Sequence, residues 1–327
     1  MLQTKLPAQT SRPPYGPALI VVGTVVAMAC LFAASYSLVL GRPKPHEIST
    51  ALVSNGPPDQ ALIRRIERAA GSALDLHAYP SADAARRAIE DQHVYAALVL
   101  EPKQRQLLVA SASGASVARV LEQAATRYAV AVVDVKPLPP GDPSGLVPFY
   151  VFYVELAATL VGYLTMVQLR ANAPGLSLHA WLGFVVGLAV VAGLALSVVS
   201  GPLIGALGGS LPEKWAILAL DTLAAALFNS TMLVLIGPWA LVPTYLLFIV
   251  LGSTSSGGAV APPLLPPFFA FIGQWLPPGA TVNALRNAVY FPTAQYREPF
   301  VVLVGWGLGG AVALLVASRM LARTPAQ

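Results

Sequence analysis

Charged side chains are scarce in this sequence. Only 11% of its 327 residues are Asp, Glu, Lys or Arg, and 56% are hydrophobic, whereas a typical soluble domain has about 25% charged residues. The few charges are also unevenly placed, because residues 42–142 hold 12 of the 20 Lys and Arg and 11 of the 15 Asp and Glu. This distribution predicts an α-helical polytopic membrane protein with one water-facing domain. No basic patch favours a nucleic-acid partner.

Cysteine is nearly absent, and so are the motifs of common enzymes. The single cysteine, Cys30, lies in an apolar run, which excludes an intrachain disulfide and a cysteine-based metal site. His46, His77 and His93 have no metal-ligand spacing. The sequence also lacks the phosphate-binding loop G-x-x-x-x-G-K-S/T and a Ser/His/Asp constellation. We therefore predict that this chain is not an enzyme and holds no metal and no cofactor.

Long uncharged runs predict about six transmembrane helices. About 20 apolar residues, rising 1.5 Å each, cross a hydrocarbon core of ~30 Å. Such runs predict helices at residues 17–40, 146–169, 180–204, 215–236, about 241–256 and 299–318. Residues 222–285 contain no Asp, Glu, Lys or Arg at all. This stretch is long enough for the end of the fourth helix, the whole fifth helix and an outer segment, and Pro238 and Pro243 are predicted to mark the turn.

Basic residues next to these runs predict the orientation of the chain. With six spans, one side of the membrane carries Lys5, Arg12, Arg170, Arg319 and Arg323. An excess of Lys and Arg is typical of the cytoplasmic side. We therefore expect a multi-pass protein of the cell membrane with cytoplasmic tails at residues 1–16 and 321–327. Residues 41–145 are then extracytoplasmic, and residues 146–320 form the membrane domain.

The extracytoplasmic segment has the pattern of a small α/β domain. Short apolar strands are predicted at residues 48–54, 74–79, 94–100, 107–110 and 130–135. Amphipathic helices are predicted from Pro57, after the capping residue Ser81, and over residues 115–128. The segment 111–114 could bind an anion through free backbone N–H groups, although a simple helix-start turn is the favoured interpretation.

A proline-rich stretch near the C-terminus cannot form one straight helix. Residues 253–286 contain Gly257-Gly258 and then Pro262-Pro263, Pro266-Pro267 and Pro277-Pro278. Irregular backbone at membrane depth is tolerated only where protein or water satisfies it. We therefore predict a re-entrant or outer hairpin at residues 257–290. The aromatic residues expected at the bilayer boundary are Phe268, Phe269, Phe271 and Trp275. The alternative is a proline-rich outer loop without a role in transport.

The same stretch carries a recognisable order of residues. A Ser-rich Gly-Gly turn is followed by a Pro, a Leu-Pro-x-Phe-Phe run, a Leu-Pro and an Arg, which are here Ser255, Ser256, Gly257, Gly258, Pro262, Leu265, Pro266, Phe268, Phe269, Leu276, Pro277 and Arg286. This order resembles the YhgE/Pip (phage infection protein) family, a branch of the type-2 ABC transporter permeases. The order of one helix, an outer domain and five helices is also similar. An acidic residue that is often found before the Arg is replaced here around Asn283.

The resemblance implies a function in transport. Type-2 ABC permeases act as dimers in the membrane, each half is coupled to a cytoplasmic ATPase, and outer re-entrant helices close the exit. The chain is then expected to export a hydrophobic or amphipathic substrate as a homodimer or heterodimer among membrane lipids, with ATP bound by a separate subunit. The alternative is a non-transporting scaffold or receptor whose outer domain binds an envelope or extracellular partner.

Two carboxyl residues lie inside predicted spans, Glu155 in the second and Asp221 in the fourth. Ionisable groups in a span are costly and usually face a cavity or a partner. Counting from the outer helix ends puts them at depths of roughly 12 Å and roughly 9 Å, and Asn229 follows Asp221 on nearly the same face. We hypothesise that these three residues line a polar or proton-sensitive path. The alternative is a pair of protonated carboxyl groups that are hydrogen-bonded to neighbouring helices.

Overall fold

The computed structural model describes residues 15–323, except residues 42, 55–63, 65–67, 69–70, 102–103, 128–129, 174 and 295. The helix predicted from Pro57 lies mostly outside the described residues, as do nearly all of the predicted N-terminal tail and the last four residues of the C-terminal tail. The described chain contains a small α/β domain and a larger helical assembly.

The α/β domain follows a long first helix, α1 (Tyr15–Val39). Its strands are β1 (Ile48–Ser54), β2 (Leu74–Tyr79), β3 (Ala96–Glu101), β4 (Gln104–Val109) and β5 (Ala131–Asp134). Its helices are α2 (Ala82–Glu90) and α3 (Ala115–Arg127). The bounds of β1 and β2 are those predicted, and the Ser81 side chain caps α2 by accepting a 3.1 Å hydrogen bond from the amide of Ala84, as predicted.

The five strands form one mixed sheet in the order β2-β1-β3-β4-β5. Neighbouring strands are parallel except for β3 and β4, which are antiparallel. Helix α2 packs on one face through Ala85, Ala88 and Ile89, and α3 packs on the other through Val117 and Leu121. The central strands are apolar on both sides because both faces of the sheet are covered.

The helical assembly begins after the domain. It consists of α4 (Val147–Asn172), α5 (Leu178–Val198) with a π-helical extension (Val199–Leu203), α6 (Leu211–Ile236), α7 (Leu241–Thr244) with a π-helical extension (Tyr245–Ser253), α8 (Pro267–Gly273), α9 (Pro277–Tyr290) and α10 (Glu298–Arg323). Five helical stretches of the described chain are long and apolar enough to cross a membrane, namely Tyr15–Val39, Val147–Asn172, Leu178–Leu203, Leu211–Ser253 and Glu298–Met320. They are compatible with a multi-pass membrane protein, and the count of six remains a prediction.

The stretch Leu211–Ser253 is not one straight helix. Gly237 ends α6 with φ of 61°, a left-handed conformation that favours glycine. After this turn the Thr244 hydroxyl on α7 donates a hydrogen bond to the side-chain oxygen of Asn229 on α6. The ring of Phe248 packs on α6 as well, 5.7 Å from that of Phe228 between centroids. The chain therefore reverses direction after Ile236, next to the predicted turn at Pro238.

Helix α9 lies inside the helical assembly. Eleven of its 14 residues are buried, and it contacts α4, α6, α10 and the π-helical segment after α7. A helix that is buried on nearly every side is part of a core and has no wide face left for lipid. The predicted hairpin is thus a short helix, α8, joined by a tight corner to an enclosed helix, α9.

The α/β domain and the hairpin share a hydrophobic core. Ala261 and Leu264, which precede α8, are buried in the same cluster as Val117 and Leu121 of α3. The amide of Ala261 also donates a 2.9 Å hydrogen bond to the Ser116 hydroxyl. The domain therefore packs directly on the hairpin.

The corner between α8 and α9 gives a stability prediction. A Cβ at Gly273 would overlap the carbonyl oxygen of Ser255, and a Cβ at Gly279 would overlap that of Gly273. We expect Gly273→Ala and Gly279→Ala each to reduce the free energy of unfolding by about 1–3 kcal/mol, the usual cost of overpacking. Thermal unfolding of the detergent-solubilised protein measures the effect.

The matched control is Gly305→Ala on α10. No atom lies within 4 Å of a Cβ built at Gly305, and alanine favours a helix over glycine by about 1 kcal/mol. The control should therefore melt at or above the wild-type temperature. Equal melting temperatures for all three variants would contradict the close packing of the corner.

Candidate functional site

Glu155 on α4 and Asp221 on α6 lie together in the interior of the helical assembly. Each is about 1% exposed, and their carboxyl groups are close enough to interact electrostatically. One oxygen of Glu155, Oε1, accepts hydrogen bonds of 2.9 Å from the Thr159 hydroxyl and 2.7 Å from the Thr222 hydroxyl. The structure thus brings together the two carboxyl residues that the sequence predicts at similar depth.

Three oxygen atoms at this pair face one another: Glu155 lies within hydrogen-bond reach of Asp221, and Asp221 within reach of Thr281, while no other described residue donates a hydrogen bond to them. They are Oε2 of Glu155, Oδ1 of Asp221 and Oγ1 of Thr281, all of them buried. Thr281 lies on α9 beside Asp221. We call Glu155, Asp221 and Thr281 the inner polar cluster.

Asn229 is not part of the inner polar cluster. It is buried about one and a half turns beyond the midpoint of α6, where its side-chain oxygen accepts a hydrogen bond from the hydroxyl of Thr244. Eight residues separate it from Asp221, which corresponds to ~12 Å along a helix. Its side-chain nitrogen has no hydrogen-bond partner. The contact that the structure gives to Asn229 therefore joins α6 to α7.

The glycines and prolines of the predicted hairpin motif determine its backbone. Gly257 has φ of 74°, which a residue with a side chain rarely adopts. A Cβ at Gly258 would overlap the ring of Phe149 on α4. Pro262 packs 3.1 Å from the Cβ position of Gly257, Pro266 directly precedes α8, and Pro277 is the first residue of α9. These residues make the chain turn sharply in the hairpin, which lies in space between the α/β domain and the other helices.

The aromatic residues of the motif differ from one another in exposure. Phe268, Phe271 and Trp275 are exposed on α8 and the corner after it, whereas Phe269 is partly buried against the ring of Phe268. Exposed aromatic rings of this kind are typical of the membrane–water interface. Their position at the bilayer boundary remains a prediction.

Arg286 is turned towards the glycine turn of the hairpin. Its Nη2 donates a 2.9 Å hydrogen bond to the carbonyl oxygen of Gly257. Among the described residues no carboxylate forms a salt bridge with it. Burial lowers the pKa of the guanidinium, but the ordinary value for arginine is so high that the group remains charged. Arg286 is therefore a cation without a salt-bridge partner in the described part of the chain.

A polar cavity of about 250 Å³ lies between the α/β domain and the hairpin. We call it the outer pocket. Its polar lining comes from both sides and includes Tyr95, Ser113, Ser256, Gln274, Asn283 and Arg286. The phenol of Tyr95 is buried, and this burial raises its pKa. Glycines at positions 257, 273 and 279 also line the pocket, so the turn and the corner that need glycine form part of its wall.

Sequence reasoning missed two buried charged residues, Asp142 and Lys214. Asp142 accepts hydrogen bonds from the amides of Leu146 at 2.9 Å and Val147 at 3.0 Å, and from the hydroxyl of Tyr290. Lys214 donates to the carbonyl oxygens of residues 207 and 208 at 2.7 Å and 2.9 Å. The only sequence signal for Asp142 was its place just before a predicted helix, where acidic residues bind free amides.

Asp142 ties α4 to α9, because Tyr290 is the last residue of α9. Burial, together with the hydrogen bond to Asp142, raises the pKa of Tyr290. The tyrosine hydroxyl therefore stays protonated and donates to the carboxylate. This contact holds the C-terminal end of α9 against the start of α4.

The Asp142 contacts predict a large effect of substitution. In Asp142→Ala, two amides and one hydroxyl lose their acceptor, and a hydrogen bond to a charged group contributes about 1.5–3 kcal/mol. We expect the free energy of unfolding to fall by at least this amount in chemical denaturation of the solubilised protein. The control is Glu90→Ala, at an exposed carboxylate at the end of α2, which should change stability by less than about 0.5 kcal/mol. Similar losses in both variants would contradict the proposed tie.

Comparison with known proteins gives no relative. No family model, no curated protein and no solved structure matches the chain. The resemblance to the YhgE/Pip family therefore depends on the hairpin motif and the order of segments.

Proposed function

We propose that this chain is a permease subunit that moves a hydrophobic or amphipathic substrate through a membrane with the help of a separate ATPase. The observation that carries this proposal is the inner polar cluster. Ionisable groups inside membrane helices are costly, and in membrane proteins they usually mark the path of a substrate, an ion or a proton. Glu155 and Asp221 adjoin each other in the interior, and among the described residues no Lys or Arg forms a salt bridge with either of them, so no opposite charge offsets the cost of burying them.

Helix α9 supports a path between the cluster and the outer side. It carries Thr281 in the inner polar cluster, and it carries Asn283 and Arg286 in the outer pocket. These positions are separated by only ~3–8 Å along the helix axis. A movement of α9 would therefore change both polar regions together, which is the behaviour expected of a re-entrant helix that closes an exit.

The ATPase and the dimer are further parts of the proposal. They follow from the resemblance to type-2 ABC permeases, whose energy comes from a nucleotide-binding subunit. One feature agrees with a second membrane subunit: space is open outside Gly305 and Gly309 on α10, and glycines spaced by four allow helices of two subunits to approach closely. The orientation with both termini in the cytoplasm and the α/β domain outside belongs to the same proposal.

A second candidate function is a scaffold or receptor without transport. It is favoured by strand β5, which lies at the edge of the sheet. Val132 and Val133 on this strand are 36% and 38% exposed, and an exposed apolar edge strand is a template for pairing with a strand of another protein. In this alternative the α/β domain would bind an envelope or extracellular partner through β5.

The identity of the protein that binds this chain distinguishes the two functions. The tagged protein is solubilised from its native membrane in mild detergent, purified, and analysed for co-purifying proteins and for ATP hydrolysis. A permease should retain a nucleotide-binding subunit, and a Val132→Lys/Val133→Lys double variant should retain it equally. A receptor should retain an envelope protein that the double variant loses. If no ATPase co-purified and such an envelope complex did, the permease proposal would be contradicted.

A second test substitutes the carboxyl residues of the inner polar cluster and measures transport by the complex in liposomes. We expect Glu155→Gln and Asp221→Asn each to slow ATP-dependent transport of a fluorescent amphiphile at least tenfold and to abolish its dependence on pH, because an amide cannot exchange a proton. The variants keep the shape of the side chains, so ATP hydrolysis and thermal stability serve as measures of folding.

Matched controls are Glu298→Gln and Asp83→Asn, both at exposed carboxylates. They should transport at the wild-type rate with the same pH profile. If the two cluster variants also kept the full rate and profile, the carboxyl pair would be a structural contact and the polar path would be wrong.

A further inference from the structure

The outer pocket contains a cation whose donors are mostly unused. A guanidinium has five N–H donors, and the hydrogen bond found for Arg286 is the one to Gly257. Asp142 also interacts electrostatically with Arg286. However, the Asp142 carboxylate is occupied by two amides and the hydroxyl of Tyr290, and it does not line the pocket. The pocket therefore presents a positive charge and free donors.

Ser113 adds an independent observation on the opposite wall. It follows β4 in the α/β domain, lines the outer pocket and is only 8% exposed. Its hydroxyl oxygen is buried without a hydrogen-bond partner. Because such an atom is costly to leave unsatisfied, it points to a ligand atom as its partner.

Further polar groups reach the pocket from other directions. The side chains of Gln274 after α8 and Asn283 on α9 are exposed and line it. Donors thus come from the domain, the hairpin and α9. This spread suits the tetrahedral oxygens of a phosphate better than the planar oxygen pair of a carboxylate, which a single guanidinium can hold.

The positive charge extends beyond the pocket. A second cavity of about 60 Å³ lies against Arg286 and is also lined by Arg119, Ser111 and Ser116. Arg119 is the fifth residue of α3. The first amides of a helix have no partner within the helix. A second guanidinium and a helix start near the first one increase the attraction for an anion.

The size and surroundings of the outer pocket restrict its ligand. At about 250 Å³ it is slightly smaller than the ~300–1,000 Å³ of pockets for drug-sized ligands. The helix α8 lines it with Ala270 and Gly273 and exposes Phe268 and Phe271 on its other side. Exposed aromatic rings are typical of the headgroup level of a bilayer. A phosphate-bearing headgroup or small molecule matches both features.

We propose that the outer pocket binds a phosphate group through Arg286, Ser113 and Asn283. The phosphate belongs either to the headgroup of a lipid or to a small soluble molecule, and both present the same anionic oxygens to the same donors. This site does not depend on transport, and it remains if the chain proves to be a receptor.

Binding to the detergent-purified full chain tests the proposal. Inorganic phosphate and glycerol 3-phosphate probe the soluble source in calorimetric titrations, with chloride as the reference anion. Nanodiscs that contain phosphatidic acid or diacylglycerol probe the lipid source, and the bound lipid is counted by native mass spectrometry. We expect phosphate compounds of at least one source to bind, and diacylglycerol, which lacks the phosphate, to be absent from the bound lipid.

Two variants remove groups that would bind the phosphate and leave the hydrogen bonds found within the protein intact. Ser113→Ala deletes a hydroxyl that has no partner, and Asn283→Asp places a negative charge in the pocket at an exposed position. Each should weaken phosphate binding about tenfold or more, the factor expected for one hydrogen bond to a charged group. Arg286→Gln should weaken it further, although its loss of the bond to Gly257 requires a thermal unfolding control.

The matched control is Asn172→Asp, at an exposed residue at the far end of α4. It changes the net charge as Asn283→Asp does and should bind phosphate like the wild type. Equal binding by Ser113→Ala, Asn283→Asp and the control would overturn the site. Absence of binding by the soluble and the lipid phosphates alike would overturn it as well. Transport assays are not needed for either outcome, so failure of the permease proposal is distinguishable.

Discussion

The hydrogen bond from Arg286 to the carbonyl oxygen of Gly257 closes the hairpin, which contacts both the α/β domain and the other helices. Gly257 lies in the turn that leads to Ala261 and Leu264, on which the α/β domain packs. Arg286 lies on α9, which is enclosed by the other helices. A charged donor on α9 and a backbone acceptor in the turn thus hold the two ends of the hairpin together, next to the segment on which the domain packs. Such a bond is stronger than one between neutral groups, because the surroundings are partly shielded from water.

The enclosure of α9 has a second consequence, which concerns polar side chains. A helix surrounded by other helices cannot turn its hydroxyl and amide groups to water. Thr281 and Asn287 are buried as a result: Thr281 lies within hydrogen-bond reach of Asp221 on α6, and the side-chain amide of Asn287 has no hydrogen-bond partner among the described residues. The same packing that satisfies the backbone of the hairpin therefore leaves polar atoms in the interior. This combination is costly for stability, and proteins usually retain such a cost where polar atoms have a function.

Much of the fold followed from hydrophobic pattern and capping chemistry. Strands β1 and β2 and the cap at Ser81 were predictable because each leaves a signal within a few neighbouring residues, as a short apolar run or as a capping side chain. The meeting of Glu155 with Asp221 was predictable from a depth count, since both lie on long regular helices. The tie from Asp142 to Tyr290 was not, because 148 residues separate the two in the sequence, and the contacts of Lys214 depend on the path of the preceding loop at residues 207 and 208. Asn229 was assigned to the same path as Asp221 from its place on one helix, whereas its observed contact is determined by the reversal at Gly237.

The outer pocket could not be predicted from the motif that forms its wall. The glycines and prolines indicate an irregular hairpin, but they do not indicate what packs against it. Ser113 lies far away in the sequence, and only the shared core of Ala261 and Leu264 with α3 brings it close to Arg286. Because the pocket exists only where the domain meets the hairpin, a ligand bound there would favour the docked arrangement over a separated one. Arg286 and Thr281 lie on the same helix, α9. A ligand that fixes Arg286 would therefore also fix Thr281 beside the carboxyl pair in the interior.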